Sequence, residues 1–126
     1  LPNLIEEIES LGRQERQELR NRLAMLLCHL LKWHFQPQKR SRSWLATIRI
    51  QRLEIADLLA DSPSLKTYLE EALQRGYLAG REKAAGETNL PNQTFPLDCP
   101  YSLTEVLDNR FYPGESSELV PDSNGE

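Results

Sequence analysis

The stretch LRNRLAMLLCHLLKWHFQP (residues 19–37) decides the fold. At about 100° per residue, its apolar side chains cover one broad side of a helix, wider than a surface helix needs. Proline at 37 cannot continue a helix, and it also disfavours the helical conformation at Gln36. The sequence therefore predicts a central helix over residues 13–36 that touches several neighbouring elements.

The composition favours an all-α chain that forms one domain. Among 126 residues there are 22 Leu, whereas Ile and Val together number only seven. Strands favour β-branched side chains and helices favour unbranched or leucine-type ones. A chain of this length can bury a core without a metal or a disulfide. We expect one domain over residues 1–113 and a disordered acidic tail over residues 114–126.

Two further helices are predicted, one before and one after the central helix. Asn3 and Glu6 resemble a capping box, and they precede a short amphipathic helix that Gly12 breaks or bends into the central one. Ser41 and Ser43 are alternative N-caps for a helix over residues 43–60. These two helices would pack on the central helix through their apolar stripes.

The last long helix is predicted over residues 63–85. Ser62-Pro63 is a strong start signal, and Gly86 fits a C-terminal cap. Gly76 and Gly80 lie on its apolar face, which indicates that another element comes very close there. The sequence thus predicts a small bundle of about four main helices, followed by an extended strap over residues 87–113. Ser102 and Glu105 would cap one short helix in that strap, over residues 103–109.

The charge is unevenly distributed along the chain. Residues 1–86 carry 14 basic and 11 acidic residues, whereas residues 87–126 carry one basic and eight acidic residues. Residues 32–52 hold six basic residues and no acid. The N-terminus of the helix that follows adds free N–H groups and a positive dipole end, so this basic corner is a candidate anion or partner site. Its candidate residues are Lys39, Arg40, Ser41, Arg42, Ser43, Arg49 and Arg52.

Solvated or structural roles explain these charges better than an anion site does, because a basic face alone is a weak indicator of nucleic acid. The arginines of the basic corner have acidic neighbours in the next helix and in the strap. Arg16 and Arg20 project onto the apolar side of the central helix, and a buried arginine needs a partner. We expect a structural ion-pair network between these two arginines and the acids Glu6 and Glu9 of the preceding helix.

Catalytic and metal-binding patterns find little support. His29 and His34 are five residues apart and Cys28 adjoins His29, so neither pair shares a helix face as metal ligands require. Cys99 stands alone, and the sequence has no nucleophile motif or nucleotide fingerprint. We therefore expect no catalytic residue, no metal and no cofactor, and these patterns favour a protein that is not an enzyme. The absence of a long apolar run argues against a membrane span.

The order and spacing of nine segments resemble a known family. They are NLIEEIE (3–9), HLLKW (29–33), FQP (35–37), RSRSW (40–44), DSPSL (61–65), YLEEAL (68–73), CPYSL (99–103), VLD (106–108) and FYP (111–113). Together they are similar to the bacterial family called domain of unknown function twenty-nine, which is plentiful in cyanobacteria. The resemblance covers residues 3–113 and implies an all-α fold and a bacterial cytoplasmic origin, but no activity.

The resemblance also bears on the N-terminal side. Family members usually carry a further helical stretch before NLIEEIE, which this sequence does not contain. Either the chain is trimmed or a patch is open to a partner. The leading hypothesis is a non-enzymatic protein-interaction or regulatory module, whose partner is itself or another protein. The alternative is a nucleic-acid or phosphate-binding protein that uses the basic corner, although a pI near 5.3 disfavours nucleic acid.

Overall fold

The computed structural model describes residues 4–121, except for the side chains of Glu7 and Ile8. Over this range the chain is all-α, as the composition predicts. Its helices are α1 (Leu4–Phe35), α2 (Arg42–Asp61), α3 (Leu69–Thr88) and the short α4 (Leu103–Leu107). Three 3-10 turns, Pro37–Lys39, Pro63–Tyr68 and Asn92–Thr94, lie between them. None of the helices in residues 4–121 is long and apolar enough to cross a membrane.

The first two predicted helices are a single element. α1 continues through Gly12 over 32 residues, which is about 48 Å at 1.5 Å per residue. The predicted break at Gly12 is therefore wrong. One glycine inside a helix costs only about 1 kcal/mol relative to alanine, and neither a proline nor a cap follows it. The predicted cap at Asn3 lies outside the described residues.

α2 and α3 pack mainly on α1 rather than on each other. Arg20 of α1 contacts Tyr68, and Lys32 contacts Glu87. The residue numbers of the contacting pairs increase together along the two helices, so α3 runs parallel to α1. Arg22 instead contacts Gln51, while Lys32 lies over the ring of Trp44. α2 is therefore antiparallel to α1, and α1 is the central helix that the quoted stretch predicts.

The two glycines of α3 mark its close approach to α1. A Cβ atom added at Gly80 would lie 2.8 Å from the carbonyl oxygen of Ala24, and one added at Gly76 would lie 3.1 Å from that of Arg20. The close contact predicted at these positions is confirmed. Gly86 is not the cap, because α3 continues to Thr88 and ends at Asn89, whose φ is 57°.

The strap is held on α3 by polar contacts to its main chain. Tyr77 donates to the carbonyl of Pro96 at 2.5 Å, and Arg81 donates to those of Phe95 and Asn92. Phe95 is buried in the core. The fully buried side chains of α1 are Leu19, Leu23, Leu26, Leu27, Cys28, Leu30, Leu31 and Trp33. The strap thus covers a core that is built around the second half of α1.

The end of the strap agrees with the predicted cap but not with the predicted tail. Both hydrogen bonds of the capping box between Ser102 and Glu105 are present, and α4 follows it. Residues 114–121, which we expected within a disordered tail, lie against the domain. Leu119 and Val120 pack on the core cluster. Burial of these two apolar side chains holds the segment, although the residues around them are acidic. Residues 122–126 lie outside the described range.

Candidate functional site

Two arginines of the basic corner bind the protein's own main chain. Arg52 is buried, and it donates to the carbonyls of Val106 and Phe111, each at 2.9 Å. Arg40 donates to the carbonyls of Trp33, Pro113 and Glu115 at 2.8, 3.3 and 2.7 Å. Burial lowers the pKa of both guanidinium groups. These two arginines fasten the strap and are not available as a common anion-binding face.

The other residues of the basic corner lie at the surface or serve the helix start. α2 begins at Arg42, and Ser41 is its N-cap, with its hydroxyl accepting from the Trp44 N–H at 3.2 Å. The carbonyl of Ser43 accepts from Thr47. Lys39, Arg42 and Arg49 are exposed. The structure therefore does not bring the seven predicted residues together as one site.

The predicted ion-pair network within one chain does not form. Because α1 is continuous, Glu9 and Arg16 lie seven residues apart in the same helix, about 10 Å along its axis. Arg20 instead donates to the hydroxyl of Tyr68 at 2.7 Å. Among the described residues, no ion pair includes Glu6, Glu9 or Arg16. The network was placed on the assumption of two helices folded back on each other.

The cysteines and histidines have the surroundings of structural groups. Burial raises the pKa of Cys28 to about 12, and the carboxylate of Glu87 adds to this effect. The thiol therefore stays protonated near neutral pH, where it is a poor nucleophile. Burial lowers the pKa of His29 and His34, whose Nδ1 atoms lie 3.0 Å from the Met25 carbonyl oxygen and 2.8 Å from the Tyr101 hydroxyl oxygen. Within residues 4–121, no group of three ligand side chains could hold a metal.

A cleft of about 430 Å³ opens between α1, α2 and the end of the strap. We call it the strap cleft. Its lining comprises Trp33, Arg49, Asn109, Arg110, Tyr112, Glu115, Ser116, Ser117, Val120 and Pro121. This size is within the range of small-molecule sites. Arg49 and Arg110 are exposed at the cleft, while Glu115 is the carboxylate among its lining residues.

The indole Nε1 of Trp33 is buried and has no hydrogen-bond partner among the described residues. The Tyr112 hydroxyl lies beside the guanidinium of Arg52. Each ring also has an arginine over it: Arg40 lies 4.9 Å from the Trp33 ring centroid and Arg52 lies 5.3 Å from that of Tyr112. Most buried polar groups find a partner, so the Trp33 Nε1 indicates that a water or a ligand is accommodated nearby.

A second candidate surface lies at the N-terminal end of α1. Leu4 and Leu11 are 70% and 60% exposed, and they lie seven residues apart on one side of the helix. The turn Pro63–Tyr68 packs on α1 near Gly12 and Glu15. The helix therefore extends beyond its cover, and this pair of leucines is left in solvent.

One comparison with known proteins identifies the family. The model described as "Domain of unknown function DUF29" matches residues 1–112. The chain belongs to this family. No curated protein and no solved structure matches the chain.

The DUF29 match ends inside the strap cleft. Trp33, Arg49, Asn109, Arg110 and Tyr112 lie within the matched range, whereas the lining from Glu115 to Pro121 follows it. The sequence prediction missed this cleft because it assigned that segment to a disordered tail. The apolar pair Leu119-Val120, set among acidic and small residues, was the available signal. Arg49 is the one residue that the predicted site and the cleft share.

Proposed function

We propose that this DUF29 member is a protein-interaction module that pairs with a second copy of itself through the N-terminal end of α1. The observation that carries the proposal is the pair of uncovered leucines, Leu4 and Leu11, which are exposed beyond the turn Pro63–Tyr68. Leucines seven residues apart on one side of a helix are typical anchors for packing against a partner helix.

A second, antiparallel copy suits this surface. In an antiparallel pair centred on Leu11, Leu11 of one copy faces Leu11 of the other. Such a contact is self-complementary, as a two-fold interface must be.

The surface beside α1 offers room for the end of the second helix. A shallow cleft of about 380 Å³ lies between α1 and α2, and its lining includes Glu18, Met25 and Gln51. In the antiparallel arrangement, Leu4 of one copy reaches the level of Glu18 on the other, at this cleft. The contact can therefore extend beyond the first helical turns, which by themselves would bury too little area for a stable pair.

The setting follows from the family resemblance and the cysteines. The resemblance is to a bacterial family, and both Cys28 and Cys99 are free thiols. Free thiols persist in a reducing compartment, so the bacterial cytoplasm is the setting in which the pairing would occur.

Sedimentation equilibrium over a range of concentrations tests the pairing. The chain should approach twice its mass of 14.5 kDa, and Leu11→Asp should remain at the mass of one chain because it places a charge at the centre of the contact. Leu78→Asp is the matched control, since Leu78 is 64% exposed on α3, away from α1's N-terminal end. A wild-type chain that stays monomeric throughout, or equal effects of the two variants, would refute the proposal.

A further inference from the structure

We infer that the strap cleft is a binding site for a small molecule that carries a phosphate monoester. This site is distinct from the α1 surface, and it differs from the predicted basic corner because Arg40 and Arg52 fasten the strap there.

The first step is the surplus of positive charge around the cleft. Arg49 and Arg110 lie in its lining, and Glu115 is the acid among the lining residues. Over the aromatic rings, Arg40 and Arg52 bind main-chain carbonyls, and within residues 4–121 no carboxylate forms an ion pair with either. Buried cations usually have a counter-charge. An anion in the cleft would supply it, while Glu115 and Asp108 nearby supply part of it now.

The second step is the supply of hydrogen-bond donors. The indole N–H of Trp33, a fully buried residue of the lining, has no partner among the described residues. An indole N–H only donates, so an acceptor such as an anionic oxygen satisfies it. Ser116, Ser117 and Asn109 add hydroxyl and amide groups. A phosphate monoester offers three acceptor oxygens and a charge of about −1.5 to −2, which suits two guanidinium groups better than one carboxylate does.

The third step is the space beyond the anion. At about 430 Å³ the cleft is much larger than a phosphate group. Tyr112, Val120 and Pro121 give part of its lining an apolar character. The ligand should therefore carry a compact organic group against these side chains. Phenyl phosphate is a suitable probe, and inorganic phosphate, benzoate and benzyl alcohol separate the contributions of the phosphate, the charge and the ring.

Isothermal titration calorimetry of the full chain with these four probes tests the site. Phenyl phosphate should bind with a Kd near or below about 1 mM and more tightly than inorganic phosphate or benzoate. Benzyl alcohol should not bind measurably. Absence of phenyl phosphate binding at about 10 mM, or equal affinity for benzoate, would overturn the assignment.

Single substitutions locate the binding. Arg49→Gln and Arg110→Gln should each weaken phenyl phosphate binding by about ten-fold or more, as expected for the loss of a charge-assisted hydrogen bond. Arg42→Gln is the matched control, because Arg42 is also exposed on α2 but lies outside the lining. Glu115→Gln should tighten binding, since it removes a like charge. An equal loss in the Arg42 variant would show unspecific attraction and would overturn the proposal.

Trp33 provides a direct readout in the cleft. In a Trp44→Phe background, the emission of Trp33 should change as phenyl phosphate saturates the site. Trp33→Phe keeps a ring but removes the donor, so it should weaken binding while circular dichroism confirms the fold. A single-stranded oligonucleotide that binds more tightly than phenyl phosphate, and depends on Lys39 and Arg42, would instead indicate a nucleic-acid surface and contradict the inference.

Discussion

Arg52 is a buried cation that main-chain carbonyl groups stabilise. It is 4% exposed, and its guanidinium donates to the carbonyls of Val106 and Phe111, which lie on either side of the α4 C-terminus. In this stretch no neighbouring strand offers N–H groups to the main-chain carbonyls. The one arginine therefore donates hydrogen bonds to several of them. The planar, multiply donating guanidinium explains why an arginine rather than a lysine suits this position.

Replacing Arg52 should destabilise the protein strongly. Arg52→Ala leaves the carbonyls of Val106 and Phe111 without their donor, and we expect it to lower the free energy of unfolding by about 2–4 kcal/mol. Urea denaturation followed by circular dichroism measures this value. Arg49→Ala, on the same helix but exposed, should change it by less than about 0.5 kcal/mol. Similar losses in both variants would mean that Arg52 does not fasten the strap.

At the scale of the elements, α1 performs two tasks along its length. Residues 26–33 are buried on every side of the helix, whereas its first turns extend past the turn Pro63–Tyr68 with Leu4 and Leu11 exposed. The contact between α1 and α3 is closest at Gly76 and Gly80. Helices that approach this closely need positions without a side chain, because interiors are packed to crystal-like density.

Gly80→Ala should push α1 and α3 apart. The added Cβ atom would lie 2.8 Å from the Ala24 carbonyl oxygen, which is main chain and cannot rotate away. We expect a loss of about 1–3 kcal/mol in the free energy of unfolding, measured by urea denaturation. Gly86→Ala is the control, because nothing lies within 4 Å of its added Cβ. It should stabilise the helix by about 0.5–1 kcal/mol. A stabilising Gly80→Ala would contradict the close contact.

At the scale of the whole molecule, histidine burial links stability to pH. Burial lowers the pKa of His29 and of His34. At His29 the hydrogen bond with the Met25 carbonyl and the charge of Glu87 oppose this effect, while Lys32 adds to it, and at His34 Arg40 adds to it. In the unfolded chain both histidines take up protons near pH 6.5. The folded chain keeps them neutral to lower pH, so the unfolded state binds more protons below pH 6.5. Folding stability therefore decreases as the pH falls through this window.

Denaturation curves between about pH 7.5 and pH 5.5 test this dependence. The free energy of unfolding should be nearly constant at the upper end and should fall below about pH 6.5, with a slope of up to two protons. The double variant His29→Gln, His34→Gln should have a flatter profile over the same range. A wild-type profile that rises on acidification, or a double variant with an unchanged slope, would contradict the assigned direction.

Sequence patterns predict the helical elements well and their junctions less well. The capping box at Ser102, the N-cap at Ser41 and the proline stop after Gln36 are local signals, and all three are present in the structure. The same kind of signal was misleading at Gly12 and Gly86. A glycine only lowers helix propensity, whereas the packing of the surrounding helix determines whether it continues.

By itself, the sequence determined that this protein is an all-α bundle built on one apolar helix, because composition and periodicity are properties of neighbouring residues. Tertiary structure decided what the charges do. In the sequence, Arg40, Arg49 and Arg52 belong to one basic corner. In the structure, Arg40 and Arg52 bind carbonyls more than 50 residues away along the chain, and of the three only Arg49 lines the strap cleft. The partner of a charged side chain is determined by distance in space. The strap brings those carbonyls to Arg40 and Arg52 only when the whole chain has folded.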